Sequence, residues 1–269
     1  MILQQESKRH RIVVLCNPSL HTKATAAVLI GAGVNVVGIV AAGERAGVER
    51  ARSAIRRNGL ATSMSRAASR ALCHLLNGKE DKRVYDQLFD KNKIEASISY
   101  ARVPFKLCAR YGEEEVCAWI RSLDPDILVV HSATIVPRAV RELARTGLVI
   151  GGHPGLTQFF RGGNSSFRAI YQNRPKDVGW TVFHVDKGVD TGDVITQGRL
   201  DLEPEDSFVT LDWRAMLCIA REQARLIVQF DDGQDIPRSS YGRIDTATLS
   251  WHPTLLEFIR YRLQQRKVR

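Results

Sequence analysis

Four short apolar runs constrain this chain most: Arg11–Cys16 (RIVVLC), Val34–Ala41 (VNVVGIVA), Ile127–His131 (ILVVH) and Leu148–Ile150 (LVI). They are rich in β-branched residues and do not alternate cleanly between polar and apolar. Each therefore reads as a strand covered on both faces. Helical stretches fall between them, at Thr22–Ile30, Glu113–Leu123 and Pro137–Arg145. Strand, helix and strand at this spacing imply right-handed parallel crossovers. The expected fold class is α/β: a Rossmann-like, mostly parallel sheet to about residue 203, with helices packed on it afterwards. Ile127–His131 and Leu148–Ile150 should be neighbouring parallel strands.

The remaining elements follow from pattern and punctuation. Glu113–Leu123 carries Val116, Ile120 and Leu123 on one face and acidic residues in its first turn, which the helix dipole favours. Pro137 opens the next helix and Gly147 lies beyond its end. Residues 44–95 read as a basic helical insertion, with helices over Ala46–Arg57 and Ser65–Leu76 and a stop at Asn77-Gly78. Ser97–Pro104 reads as a weak strand, and Val178–Val185 and Val194–Leu202 as stronger ones. Ser207–Phe230 is one long amphipathic helix, and a last helix begins near His252-Pro253. These assignments divide the chain into a catalytic region, 1–203, and a helical extension, 204–269.

Composition removes several classes. In 269 residues, 44% are hydrophobic and 25% charged, ordinary proportions for a globular chain. No apolar run approaches the ~20 residues of a membrane-spanning helix. The first residues, MILQQESKRHRIVV, do not form a secretory signal. The five cysteines are scattered and form no CxxC, which fits reduced thiols and a cytoplasmic location, with no metal site. Gly31-Ala32-Gly33 follows a helix and precedes a strand, the wrong order for a dinucleotide phosphate loop. The net charge of +10 suits an anionic substrate or cofactor. No nucleic-acid motif is present, so nucleic acid is disfavoured as a partner.

The stretch from Ile150 to Ile195 carries the chemistry. His153-Pro154-Gly155-Leu156 follows a strand end, Phe160-Arg161-Gly162 follows that, and Asp186-Lys187-Gly188-Val189-Asp190-Thr191-Gly192 makes an acidic turn further on. A histidine and a carboxylate on two such loops can share one cleft and do acid–base work near neutral pH. These motifs, in this order, resemble the folate-dependent formyltransferases. That family includes the glycinamide ribonucleotide, methionyl-tRNA and sugar-amine formyltransferases. The resemblance implies an enzyme with 10-formyltetrahydrofolate as cofactor and a small primary amine as acceptor. It places His153 and Asp190 in catalysis. It assigns cofactor binding to the loop Ala133, Thr134, Ile135 and Val136 and to Asp186, Gly188 and Val189. Arg161, Gly162 and Gly163 would contact the amine.

In this scheme a neutral amine attacks the formyl carbon, an oxyanion forms, and the tetrahydrofolate nitrogen leaves. His153 donates to the oxyanion or leaving group, and Asp190 orients it or relays the amine's proton. One residue departs from the family. Its catalytic Asn falls on Gly151, which has no side chain. Loss of such a donor costs ~10²–10³ in rate, so a replacement is expected. Asn164 is the candidate, entering volume that Gly151 leaves beside His153, with helix capping as its competing role. Two further functions compete with transfer to an amine. One is hydrolysis of the same cofactor, whose known enzymes begin with a small regulatory domain not expected before Arg11. The other is folate or partner binding without catalysis. The helical character after residue 203 argues against the C-terminal barrel of the tRNA formyltransferases and for a small amine. A homodimer is left open.

Overall fold

The computed structural model describes residues 9–43, 47–132, 134–238 and 248–268. In chain order, β1 (Ile12–Cys16), α1 (Leu20–Gly31) and β2 (Val36–Ala42) come first. Three helices follow, α2 (Gly47–Asn58), α3 (Leu60–Leu88) and α4 (Lys91–Tyr100). Then come β3 (Phe105–Cys108), α5 (Glu114–Ser122), β4 (Ile127–His131), α6 (Arg138–Arg141) and β5 (Leu148–His153). Next are β6 (Phe160–Gly162), α7 (Ser165–Tyr171), β7 (Gly179–His184) and β8 (Val194–Arg199). The chain continues with α8 (Phe208–Asp231), β9 (Thr248–Ser250) and α9 (Leu255–Val268).

The main sheet has seven strands in the order β3-β2-β1-β4-β5-β7-β8. β3 through β5 pair in parallel, and Ile127 lies opposite Leu148, as the sequence led us to expect. β7 and β8 add an antiparallel edge. Successive strand residues point to opposite faces. Ile12, Val14, Ile39, Val129 and Ile150 pack with Leu29 of α1 and Ile219 and Ile227 of α8. Val13, Leu15, Val40, Leu128 and Val149 pack with Val116 and Ile120 of α5 and Val140 near α6. Both faces are thus core, which is why the strands read as continuous apolar runs. Each such side chain contributes about 1.5–3 kcal/mol by leaving water. α8 belongs to the same core as the strands and holds the C-terminal region on the sheet.

Three expectations are corrected. α3 does not stop at Asn77-Gly78 but runs through to Leu88. A glycine inside a helix costs about 1 kcal/mol. That is outweighed where Leu72 and Cys73 pack on Phe167, Phe208, Phe258 and Tyr261. Ser97–Pro104 is not a strand: Ser97–Tyr100 finish α4, whose start Asp90 caps by accepting from Lys93 N at 3.1 Å. Ile94 and Ile98 bury against Ala24, Phe89 and Trp213, so the helical spacing wins. Finally, β5 does not end at Ile150 but takes in Gly151-Gly152. The strand continues to His153 because β7 pairs with it, Ile150 opposite His184 and His153 opposite Thr181. A Cβ at Gly152 would overlap Ile219 Cγ2, so glycine there lets α8 lie close against β5.

Candidate active site

His153 stands at the C-terminal end of β5 and is 3% exposed. Its ring is held from both sides. Nδ1 faces Asp190 Oδ2 at 3.2 Å. Nε2 lies 2.9 Å from Ser165 Oγ and 3.1 Å from the Phe160 carbonyl. Asp190 lies in the β7–β8 connection with φ +51°. Its Oδ2 also accepts from Gly162 N at 2.9 Å. Asp186 Oδ1 ties the same turn by accepting from Gly188 N at 2.9 Å and Thr191 Oγ at 2.6 Å. The turn is packed tightly: a Cβ at Gly192 would overlap the His184 carbonyl.

The partner chemistry limits what the imidazole does. An ionised carboxylate and a backbone carbonyl only accept, whereas a serine hydroxyl donates or accepts. Asp190 Oδ2, facing Nδ1 at 3.2 Å, favours a proton on that nitrogen. A protonated Nε2 donates to Phe160 O or Ser165 Oγ, and a bare Nε2 accepts from Ser165. Nε2 thus has a hydrogen-bond partner whether it donates or accepts. A histidine so placed can give and take a proton at Nε2 while Nδ1 stays fixed.

The structure thus brings together His153, Asp190 and Gly162. Arg161 neighbours them on β6, with Nε donating to Thr157 O at 3.0 Å, and Gly163 follows, exposed. The expected cofactor loop follows β4, the strand beside β5. In it Thr134 N donates to Ser132 Oγ at 3.0 Å, Ile135 is 62% exposed, and Val136 is buried in the core. Ala133 lies outside the described residues. Val189 is a second exposed apolar residue, on the acidic turn. Val136 therefore has only its backbone to offer a ligand, while Ile135 and Val189 present apolar side chains to solvent.

Asn164 does not cap α7 with its side chain; it takes the left-handed conformation, φ +57°. The expected space beside Gly151 is filled. A Cβ there would lie 2.8 Å from Phe183 Cζ and 2.8 Å from Val185 Cγ2. The missing side chain is thus replaced by the Phe183 ring and the Val185 methyl. Sequence reading offered Ser165 only as a helix cap, gave Phe183 no site role, and did not anticipate the short ribbon in which β6 pairs with β9 in parallel. Only the serine left a trace, as one of two serines after a glycine-rich turn. The other, Ser166, donates to Asp212 Oδ1 on α8 at 2.7 Å, and burial pushes that carboxyl up to about 7.

Comparison with known proteins agrees with this architecture. A methionyl-tRNA formyltransferase of Methylacidiphilum infernorum is 37% identical over 111 residues, 41% of this chain and 33% of that protein. A GDP-perosamine N-formyltransferase of Brucella melitensis is 31% identical over 129 residues, 46% of this chain and 48% of that protein. The matched stretches thus span less than half the length of these relatives. Among solved structures, glycinamide ribonucleotide transformylase 1 from Symbiobacterium toebii superposes with a TM-score of 0.57 at 17% identity, covering 90% of this chain and 95% of that one. A sugar N-formyltransferase from a Shewanella species superposes with a TM-score of 0.53 at 15% identity, covering 94% and 87%. At these identities the superpositions speak for the fold. Residues 34–218, more than half of the chain, match the family described as Formyl transferase, and they include β5, His153 and the Asp190 turn, so the chain belongs to the formyl transferase family.

Proposed function

We propose that the chain transfers a formyl group from 10-formyltetrahydrofolate to a small primary amine, of the amino-sugar type. The observation that carries this reading is the buried His153 with Asp190 3.2 Å from its Nδ1, within a chain of the formyl transferase family. Support for the amine class comes from the relative named for GDP-perosamine and the sugar N-formyltransferase neighbour. Thr134, Ile135, Val136, Asp186, Gly188 and Val189 are the residues proposed to hold the folate, with Ala133 beside them. Arg161, Gly162 and Gly163 are proposed to receive the amine.

The residues present fit such a donor. The exposed Ile135 and Val189 offer apolar contact to a flat ring, and backbone groups of the two turns offer hydrogen bonds. In the reaction, His153 Nε2 exchanges one of its present partners for the formyl oxygen and donates to it as negative charge develops. Asp190, facing Nδ1, is proposed to favour the proton there and to orient the ring. Asn164, next to Ser165, is proposed as a second donor to the oxyanion in place of the absent amide at 151. The test is a spectrophotometric assay of tetrahydrofolate release with and without candidate amines. His153→Ala and Asp190→Asn should each lower turnover by about 10²–10⁴, with reduced-folate binding retained. Near-parental turnover in His153→Ala would refute the assignment. Formate release independent of any amine would select hydrolysis.

A further inference from the structure

We propose that Arg57, Arg66, Arg70 and Arg168, beside Trp251 and His252, form an anion site that holds the phosphate or diphosphate group of the acceptor amine. The inference rests on the formyl-transfer reading and specifies its substrate. The site is assembled from distant segments. Ser65 Oγ on α3 accepts from Leu255 N at 3.0 Å and so docks α3 on the first turn of α9. On that turn Glu257 Oε1 accepts from Arg168 Nη1 at 2.9 Å. The Arg57 guanidinium lies 4.8 Å from the centre of the Trp251 ring. His252 packs its ring 6.2 Å from that of Phe208.

Charge and hydrogen bonding both call for an anion here. Glu257 is the carboxylate that reaches the cluster, and among the described residues Arg57, Arg66 and Arg70 have no carboxylate within 4.0 Å. Four guanidinium groups therefore face one negative charge. Burial first, then the charges of Arg70, Arg168 and Arg57, lower Arg66 from its ordinary range, against the opposing pull of Glu257. Arg66 Nε, Arg168 Nε, Ser63 Oγ, Ser69 Oγ and His252 Nε2 are buried with no hydrogen-bond partner among the described residues. Buried polar groups are nearly always satisfied, so a local concentration of orphans points to an absent ligand. Ser63, Arg66 and Ser69 recur at helical spacing, which sets them on one face of α3. Forked guanidinium donors, with serines flanking Arg66 along α3, suit phosphate oxygens. A single carboxylate ligand would leave most of the charge unanswered.

The site is joined to His153 by two short routes. α7 sets Ser165 against His153 and carries Arg168 one turn later, about 5–6 Å away between Cβ atoms. β9 lies along β6 with Ser250 opposite Gly162, whose N–H binds Asp190, and Trp251 follows directly. A phosphorylated amine anchored on the arginines would thus have its amino group within reach of Nε2. Arg57, Arg70 and Arg168 all lie close enough to act on Arg66, a grouping around one centre that favours a small anion over a nucleic-acid backbone.

Calorimetry on the whole chain tests this, with inorganic pyrophosphate as one probe and a non-reactive reduced-folate analogue as the other. Pyrophosphate should bind at one site, and the Arg66→Gln/Arg70→Gln double variant should weaken it roughly tenfold or more. Arg70 is exposed, so Arg70→Glu provides a second variant that should weaken binding with an unchanged melting temperature. Folate binding should be the same in all three proteins. Pyrophosphate affinity unchanged in both variants overturns the site, whereas absent folate binding tells against the formyl-transfer reading instead. A short RNA hairpin that displaces pyrophosphate, with a salt dependence of several phosphate contacts, would reassign the arginines to nucleic acid.

Discussion

Restoring an asparagine at position 151 should damage this protein. A Cβ at Gly151 would meet Phe183 Cζ and Val185 Cγ2 at 2.8 Å each and Phe183 Cε2 at 3.1 Å. Real Cβ contacts are longer, and neither neighbour is free to yield. Phe183 is 6% exposed, and Gly151 and Phe183 are direct partners in the β5–β7 ladder. Gly151→Asn adds an amide beyond that Cβ, into a space already occupied. Overpacking of this kind costs about 1–3 kcal/mol. For a domain of this size, that lowers the melting temperature by roughly 2–4 °C per kcal/mol. Phe183→Leu removes the ring atoms that collide and by itself costs about 1 kcal/mol as a cavity. The double variant should then be more stable than the sum of the single effects by about 1 kcal/mol or more. Urea unfolding of the four proteins gives the cycle directly. Additive effects, or a Gly151→Asn protein as stable as the parent, would show that Phe183 does not occupy the side-chain position. Turnover in the double variant adds a functional reading, because there the Phe183 ring no longer stands in the asparagine's way, leaving only the Val185 methyl.

Other outcomes follow from the same geometry. His131 is 3% exposed at the end of β4, its Nδ1 is 2.7 Å from Thr25 Oγ, and burial pushes it down to about 4, with the nearby Gln223 amide opposing the shift and the charge of His21 adding to it. The unfolded chain takes up this proton near the ordinary value of 6.5 and the native one does not, so stability is full above pH 6.5 and falls as pH drops toward 4. The loss attributable to His131 is about 3 kcal/mol, and His131→Asn should remove that part of the slope in urea melts at pH 7 and 4.5. His252, also pushed to about 4, mainly by burial, supplies a further decline that His131→Asn leaves in place. Asn164→Gly suits the left-handed backbone and removes only the amide, so a fall in kcat of about 10²–10³ with unchanged folate binding would mark the amide as an oxyanion donor, and unchanged kcat would exclude it. Gly78→Ala should stabilise α3 by about 0.5–1 kcal/mol once the exposed His74 ring turns aside, whereas marked destabilisation would show that α3 needs the glycine.

The central strands were legible because burial on both faces leaves an unbroken apolar signature, as in Ile127–His131. His153 and Asp190 were legible because the motifs that carry them, a histidine after a strand end and a glycine-rich acidic turn, resemble the formyltransferase signature in order and spacing. Local pattern alone could not decide β5 beyond Ile150. Gly151-Gly152 are strand residues only because β7 supplies partners on one side and α8 presses from above. The same limit applied at Asn77-Gly78, where a weak helix interior is held by an aromatic cluster drawn from α7, α8 and α9.

What the amino-acid sequence determined by itself was the central parallel strands with the helices between them, the motif that holds His153 and Asp190, and a surplus of positive charge. Only tertiary structure decided where that charge gathers, that Ser165 closes on Nε2, and that Phe183 takes the place of a side chain at Gly151. The physical reason is range. Periodicity and turn chemistry act between residues a few positions apart, and sequence displays them. Contacts such as Ser65 with Leu255, or Arg168 with Glu257, join segments far apart in the chain and exist only once the core has packed.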